Sequence, residues 1–420
     1  MTDSTTHGTT NVIGIGPTMT AVTGSPPPGF ARDAARSYGD PTSSDVLVHA
    51  ENLDAMRRLA RGGFGGRFRC VYLDPPFNSG RRFVEYDDAL EPRAWRAMIF
   101  ERLEAARELM SDDGAIFVEI DDTELGPLQV ALDEVFGREQ RISTITIVRS
   151  AATGHKAGNR GPVNVTDYLF VYAKDRARFR YSPVLRERAR YDAAYSTWLE
   201  NPRDPPADWR FVPLRAYLRL ALGRGPSDAE VHAHAVAHAE HVVRFAQPRY
   251  EAVSRDAKAL IDRSRLEPAR VLVLERANRK PLVLRAGNRV LFLADKVALR
   301  DGRPTIVEPL TNVWDDIGFQ GIAREGGVRF VRSKKPEKLI ARILAMATAP
   351  GDWVLDPFLG SGTTAAVALK MGRRWIGIER GAHVDALCLP RLRSVVDGHD
   401  DAGVTRAHAW QGGGGFHVWT

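Results

Sequence analysis

Residues 353–364 read Trp-Val-Leu-Asp-Pro-Phe-Leu-Gly-Ser-Gly-Thr-Thr, and residues 69–77 read Arg-Cys-Val-Tyr-Leu-Asp-Pro-Pro-Phe. Each is a short apolar run stopped by Asp-Pro, the pattern of a buried strand closing at a loop. In an open sheet of parallel strands, ligands bind at the carboxyl ends of the strands. Both loops therefore fall where a site is expected.

Outward from these stretches, strands alternate with helices. DVLVHA (45–50) reads as a strand, and NLDAMRRLA (52–60) as a helix with Leu53, Met56 and Leu59 on one face. A helix is expected from Arg93 to Met110, a strand at GAIFVEI (114–120) and a helix from Thr123 to Phe136. ISTITIV (142–148) and YLFVYA (168–173) add two strands. Further on, Pro336 suits the first residue of a helix striped by Leu339, Ile340, Ile343 and Leu344. The strand WVLD (353–356), a helix from Thr363 to Met371, the strand RWIGIE (374–379) and a last helix to Val396 follow. This order implies βαβ units, a largely parallel sheet and the α/β class.

Three regions lie outside the pattern. Residues 1–44, rich in Thr, Ser, Gly and Pro, are expected to form a disordered arm, with order beginning near Asp45. From 181 to 286 Arg, Ala, His and Pro dominate, and the segment reads as helical without strong strands. The expected insertion spans 181–330, between α/β halves at 45–180 and 331–398. Residues 399–420, with QGGGGF, are expected to be a flexible tail.

Composition sets the limits. The 420 residues allow two to four domain-sized units, and no run of 18 apolar residues predicts a membrane span. The first residues, MTDSTTHGTT, lack the pattern of a secretory signal. The 2 cysteines, Cys70 and Cys388, are far apart, which excludes a disulfide scaffold and suits a reducing cytoplasm. Lys and Arg number 59 against 52 Asp and Glu, and the net charge of +7 favours a polyanionic partner. His234, His238 and His241 share a helical face with His232 nearby. Lacking a carboxylate or cysteine set, they read as a polar face, and no metal site is expected. The run Arg176, Arg178, Arg180, Arg186, Arg188 and Arg190 reads equally as a phosphate track or a solvated surface. Asp121-Asp122 either touches a ligand or caps a helix.

The two loops carry the chemistry. Asp74 supplies a carboxylate, Pro75 and Pro76 a stiff turn with free carbonyls, and Phe77 a flat π face. Together they suit a planar base with an exocyclic amino group; the alternative is a plain strand-to-loop turn. In the second loop, Gly360 and Gly362 allow close approach of backbone to ligand. It lacks the lysine of a P-loop, and Ala365 holds the third position of a dinucleotide fingerprint. Glu379 ends the next strand at the distance where an acid grips a ribose. An adenosine ligand without phosphates fits; the alternative is a helix terminus packed on a strand.

Taken together and in order, YLDPPFNSG (72–80), FVEYDD (83–88), GAIFVEIDD (114–122), KKPEKLIARIL (334–344), LDPFLGSGTT (355–364) and WIGIE (375–379) resemble the β-group amino DNA methyltransferases, above all the modification subunits of type III restriction–modification systems. The resemblance spans most of 46–396 and no motif within 181–286. It implies a Rossmann-like, SAM-dependent methyltransferase sheet in circularly permuted order (SAM is S-adenosylmethionine). The catalytic half would be 45–180, the SAM-binding half 331–398, and the insertion a target-recognition region. The implied activity is methyl transfer from SAM to N6 of a flipped adenine in duplex DNA. N4 of cytosine is the alternative, and a non-catalytic DNA-binding subunit the rival. By the resemblance, Asp74, Pro75, Pro76 and Phe77 hold the base. Phe358, Gly360, Gly362 and Thr363 line the amino-acid end of SAM, within a motif that includes Asp356, Ser361 and Thr364. Glu379 takes the ribose, Lys335 and Pro336 belong to the element closing over the methionine end, and Glu51 and Asn52 lie near the adenine. This chain has Ala50-Glu51-Asn52 where the family often has Gly-Asp-Asn, and Phe77 where tyrosine is commoner. The implied partners are duplex DNA, a second copy of the chain and a restriction subunit, in the cytoplasm and without a membrane.

Overall fold

The computed structural model describes residues 26–80, 88–151, 161–188, 191–277, 279–300, 302–329 and 334–420. The chain divides into two compact units, one of Met1–Ser182 with Thr311–Thr420, the other of Pro183–Leu310.

The first unit is built on a ten-stranded sheet. From one edge its strands are Arg32–Gly39, Gly415–Trp419, Val46–His49, Arg374–Glu379, Trp353–Asp356, Phe68–Leu73, Met110–Ile120, Thr166–Ala173, Arg141–Val148 and Val313–Trp314. The run from Val46–His49 to Met110–Ile120 is parallel. Thr166–Ala173 is antiparallel to both of its neighbours. The central strands are apolar along their length because helices cover both faces of such a sheet. The helix Pro92–Leu109 shows how one layer forms. Glu91 caps its first turn, Pro92 starts it, and Trp95, Ile99, Leu103, Ala106 and Leu109 make its buried stripe.

Topology places the site. From Trp353–Asp356 the chain crosses to Arg374–Glu379, and from Phe68–Leu73 it crosses the other way to Met110–Ile120. Trp353–Asp356 and Phe68–Leu73 are parallel neighbours, with Leu355 beside Val71. Their carboxyl ends thus flank the point where the winding reverses, which opens a crevice there. Both Asp-Pro loops leave from this edge.

The α/β class and the alternation of elements stand as expected, but several boundaries are corrected. Arg32–Gly39 is not part of a disordered arm: it pairs antiparallel with Gly415–Trp419. Residues 1–25 lie outside the described residues. The expected flexible tail ends in that same strand, which runs parallel to Val46–His49 with Phe416, Val418 and Trp419 fully buried. Burying three large apolar side chains between two strands fixes a segment whose glycines alone suggested mobility. Pro336 sits one residue outside its helix, as the N-cap of Glu337–Ala347. Residues 311–330 belong to the first unit, so the insertion is shorter than 181–330.

The second unit departs most from expectation. It holds a six-stranded sheet in the order Val271–Arg276, Arg279–Arg285, Asn288–Phe292, Val242–Ala246, Thr197–Leu199 and Phe211–Pro213. Every pair is antiparallel. A smaller sheet joins Val297–Arg300, Arg303–Pro309 and Leu185–Glu187, and the helices are Leu214–Leu222, Asp228–Ala237 and Arg255–Leu266. These strands carry no clean apolar–polar period: Val271–Arg276 and Arg279–Arg285 contain the unbroken apolar runs VLVL and LVL, and Thr197–Leu199 and Phe211–Pro213 are 3 residues long. The turn of one hairpin is Ala286-Gly287, with φ of 49° and 77°, where Asn-Gly would have announced it. The histidines pack as rings: His241 stacks on Trp198 at 4.5 Å and His234 lies 4.5 Å from His238. The arginine run is not one stripe. Arg178 pairs with Asp112 at 2.8 Å in the first unit, whereas Arg188 pairs with Asp192 at 3.4 Å in the second. Arg190 is outside the described residues.

Candidate functional site

Asp74 leaves the Phe68–Leu73 strand directly into the Pro75-Pro76 turn. The Trp95 indole donates to the Pro76 carbonyl at 2.7 Å, pinning the turn to the helix below. Asn78 adds a second anchor, with its backbone N–H donating to Asp88 at 2.8 Å and its side chain to Glu124 at 2.7 Å. Lys335 Nζ lies 3.1 Å from Asp74 Oδ1, 2.7 Å from Glu119 Oε1 and 4.8 Å from the centre of the Phe77 ring. The Tyr72 hydroxyl donates to the other Glu119 oxygen at 2.7 Å. Asp167 is buried nearby. Arg149 Nε stands 2.9 Å from it but off the angle of a hydrogen bond, so both Asp167 oxygens lack a donor among the described residues.

This crowding of acids sets their protonation. Burial pushes the Asp74 carboxyl up to about 7; Lys335 opposes that shift and Glu119 adds to it. Asp167 is likewise raised to about 7 by burial, with Lys335 and Arg149 opposing. Burial alone would lower the Lys335 ammonium, but Asp74, Glu119 and Asp167 overcome it and raise its value.

The second loop turns on Gly360 and Gly362, at φ of 56° and 82°. Both lie in the left-handed region, where a side chain is strained. Asp356 accepts from the Phe358 N–H at 2.9 Å, and burial raises its carboxyl to about 7, with Thr364 and the Phe358 N–H opposing. The Glu379 carboxylate takes the Gly360 N–H at 2.9 Å and the Gly381 N–H at 2.7 Å. Burial works to raise it, yet His383 and these two N–H groups hold it below the usual range. Asn52 donates to the Pro357 carbonyl at 2.9 Å and accepts from Arg102 at 2.7 Å. Glu51 caps its helix on the Asp54 N–H and pairs with the same arginine.

Beneath this loop runs a buried charge network. Glu337 contacts Lys370 Nζ at 2.7 Å and Arg391 at 2.8 Å, and Lys370 also reaches Asp400 at 2.7 Å. Arg391 donates to the Thr363 hydroxyl at 2.7 Å and, at 3.4 Å, to Ser361. The helix that starts after Pro336 is thereby tied to the glycine turn.

The structure therefore gathers Glu51, Asn52, Asp356, Phe358, Gly360, Ser361, Gly362, Thr363, Thr364 and Glu379 around one loop, and Asp74, Pro75, Pro76 and Phe77 at the adjacent strand end. Lys335 joins the second group through Asp74. Asp121 accepts from the Thr123 N–H at 2.9 Å in the turn before the helix Leu125–Phe136, whose N-cap is Glu124 without a side-chain cap, so Asp121-Asp122 does not cap that helix. Sequence reasoning missed Glu119, Asp167, Arg102 and Arg391. A charge inside GAIFVEI and an acid opening DYLFVYA were the available signals for the first two.

The comparisons agree in kind. A model of the DNA methylase family matches residues 68–385. The chain is 30% identical over 414 residues to the probable type III restriction-modification enzyme HindVI Mod subunit of Haemophilus influenzae, covering 90% of this chain and 54% of that protein. It is 27% identical over 343 residues to the type II methyltransferase M.EcaI of Enterobacter cloacae, covering 79% and 66%. The chain thus spans roughly half to two thirds of these curated relatives. Among solved structures, PvuII DNA methyltransferase (cytosine-N4-specific) matches with 13% identity and a TM-score of 0.41 over 83% of this chain and 86% of that one. With most of its length matched by the family model, the chain belongs to the N6/N4 DNA methylase family.

Proposed function

We propose that this protein transfers the methyl group of SAM to the N6 amino nitrogen of an adenine flipped out of duplex DNA. The observation that carries this reading is the pairing of two loops at one sheet edge, Asp74–Phe77 beside the Gly360–Gly362 turn. The residues present fit SAM. Gly360 and Gly362 both have positive φ, and an atom built at Cβ of Gly362 would stand 3.8 Å from Cys388, in ordinary contact, so what demands glycine here is the backbone conformation. Gly360, Gly362, Phe358 and Thr363 would hold the amino-acid end, and Glu379 the ribose. When bound, SAM supplies a methyl group already activated by its sulfonium.

The protein's part is to make a poor nucleophile adequate. The amino lone pair is delocalised into the base. Asp74 and the Pro75 carbonyl accept the two amino hydrogens, favour a tetrahedral nitrogen and stabilise the positive charge that develops there. Phe77 stacks on the ring. As the carbon–sulfur bond breaks and the carbon–nitrogen bond forms, one amino proton leaves. Asp74, which burial inclines to hold a proton, is placed to take it.

Residues 183–310 are the proposed recognition unit. They contain 23 of the chain's 59 Lys and Arg and 16 of its 52 Asp and Glu, so they carry the whole formal charge of +7. A surplus of this kind suits phosphate contacts. Arg285 lies over the Phe211 ring at 4.7 Å, on the face that also carries the exposed Phe245. Arg285→Gln is expected to weaken DNA binding and to flatten its salt dependence by about one unit of slope. An unchanged slope in filter binding would move the contact elsewhere.

Adenine is favoured over cytosine because aspartate opens the Asp-Pro-Pro-Phe loop, which in the resembling family mostly accompanies adenine methylation. Incubation with SAM and mixed-sequence duplex, followed by nucleoside mass spectrometry, tests both levels. N6-methyladenine is expected; N4-methylcytosine alone would overturn the base, and neither product would overturn the activity. The same reading includes a cytoplasmic homodimer able to take a restriction subunit, and a fully active monomer in light scattering would remove the dimer. Gly362→Val should weaken SAM binding about tenfold by forcing a branched side chain to φ of 82°. Calorimetry giving wild-type affinity would relocate the cofactor.

A further inference from the structure

We propose that Lys335 is a positioning residue for the acceptor carboxylate: from between Asp74 and Glu119 it offsets the neighbouring acids and holds Asp74 turned toward the base. The inference rests on the methyl-transfer reading above. It departs from the sequence expectation, which put Lys335 with the element closing over the methionine end of SAM.

The geometry carries it. An ammonium has three protons to place. One faces Asp74 Oδ1 at 3.1 Å and one faces Glu119 Oε1 at 2.7 Å, while the Phe77 ring lies at 4.8 Å. Lys335 therefore touches both the acceptor and the stacking ring. Glu119 is fully buried and its second oxygen is held by the Tyr72 hydroxyl, so the support is rigid. With Oδ1 engaged by Lys335, the other Asp74 oxygen is left for an amino hydrogen.

The charges around Asp74 show why such a residue is needed. Tyr72 comes from the strand that leads into Asp74, Glu119 from the next, Asp167 from the one beyond, Arg149 from just past the strand Arg141–Val148, and Asp356 from the end of the strand on the other side. Three of these groups are acids, and burial and Glu119 both drive Asp74 toward its neutral form. A neutral carboxyl presents a proton where the base presents its own. Among the described residues Lys335 is the cation in direct contact with Asp74, and it pulls the other way.

The experiment compares Lys335→Met and Glu119→Gln with the wild-type chain. Two quantities are followed against pH: the single-turnover methylation rate, and the carboxyl resonance of Asp74 in protein labelled with ¹³C aspartate and free of DNA. Lys335→Met should move the Asp74 midpoint and the acid limb of the rate upward together by about one pH unit or more, with the rate recovering at high pH. Glu119→Gln removes an opposing acid and should move both downward. Lys335→Arg should stay near wild type. Opposite displacements are not produced by loosened packing, which would lower the rate at every pH. Unmoved midpoints, or shifts of one sign in both variants, would overturn the proposal. Absence of methylation in the wild type would overturn the functional reading instead, while the resonance still reports whether Lys335 governs Asp74.

Discussion

Asp74→Asn leaves SAM and duplex binding near wild type and lowers the single-turnover rate of methyl transfer by about 10²–10³-fold, the usual effect of removing one preorganised transition-state contact. Asparagine keeps the shape of the side chain. It loses the negative charge that stabilises the amino nitrogen as the methyl group arrives, and it offers an N–H₂ to a group that needs an acceptor. The surroundings add to the loss. Lys335 is 3.1 Å from Asp74, so the amide must turn its oxygen toward the ammonium. Its nitrogen then faces the base. The fold should tolerate the change, because Lys335 retains Glu119 at 2.7 Å and the Pro75-Pro76 turn is pinned separately by Trp95. Rapid-quench kinetics with SAM and DNA both saturating isolates the step. A rate within about threefold of wild type would show that Asp74 is not the acceptor, and a matching loss of SAM affinity would show that the loop is merely structural.

How far the sequence could be read follows from where each signal lies. The two site loops were legible because the punctuation is local: an apolar run, Asp, then Pro, then a helix. The parallel order was legible for the same reason, since WVLD and RWIGIE are strands by composition alone. Arg32–Gly39 was not. Its residues, RDAARSYG, have no apolar period, and it is a strand only because Gly415–Trp419 offers an edge nearly 400 residues away. Register hid the rest of the site. Glu119 faces Tyr72 and Lys335 because Phe117 and Val118 pair with Tyr72 and Leu73, which no spacing within GAIFVEI states. Lys335 is the sharpest case. Its place beside Pro336 suggested the cofactor side, whereas the fold carries its ammonium to the Asp74 carboxylate. In the insertion, the strands are short, as in Thr197–Leu199, or carry unbroken apolar runs, as in Val271–Arg276, so no alternation marked them.

Glu337→Leu should destabilise the first unit by about 3–5 kcal/mol, the usual consequence of stripping one partner from a buried ionic network. Glu337 is fully buried and faces two cations, Lys370 at 2.7 Å and Arg391 at 2.8 Å. It also accepts the Val404 N–H at 3.1 Å. Leucine fills a similar volume and satisfies none of these donors. Lys370 keeps Asp400, but Arg391 loses its carboxylate and remains buried. The damage should reach the cofactor loop, because Arg391 holds the Thr363 hydroxyl at 2.7 Å and Thr363 opens the helix after the glycine turn. SAM affinity should therefore fall even at temperatures where the variant is fully folded. Urea denaturation reads the first effect, and calorimetry well below the transition reads the second. The discriminating comparison is Glu337→Leu combined with Lys370→Met and Arg391→Met. Replacing the whole network with apolar groups removes the unpaired charges, so much of the stability should return. Without Arg391, however, Thr363 still lacks its donor, and SAM binding should stay weak. Stability and affinity recovering together would mean that the network supports the fold alone; stability recovering while affinity does not would assign it the added task of holding the loop.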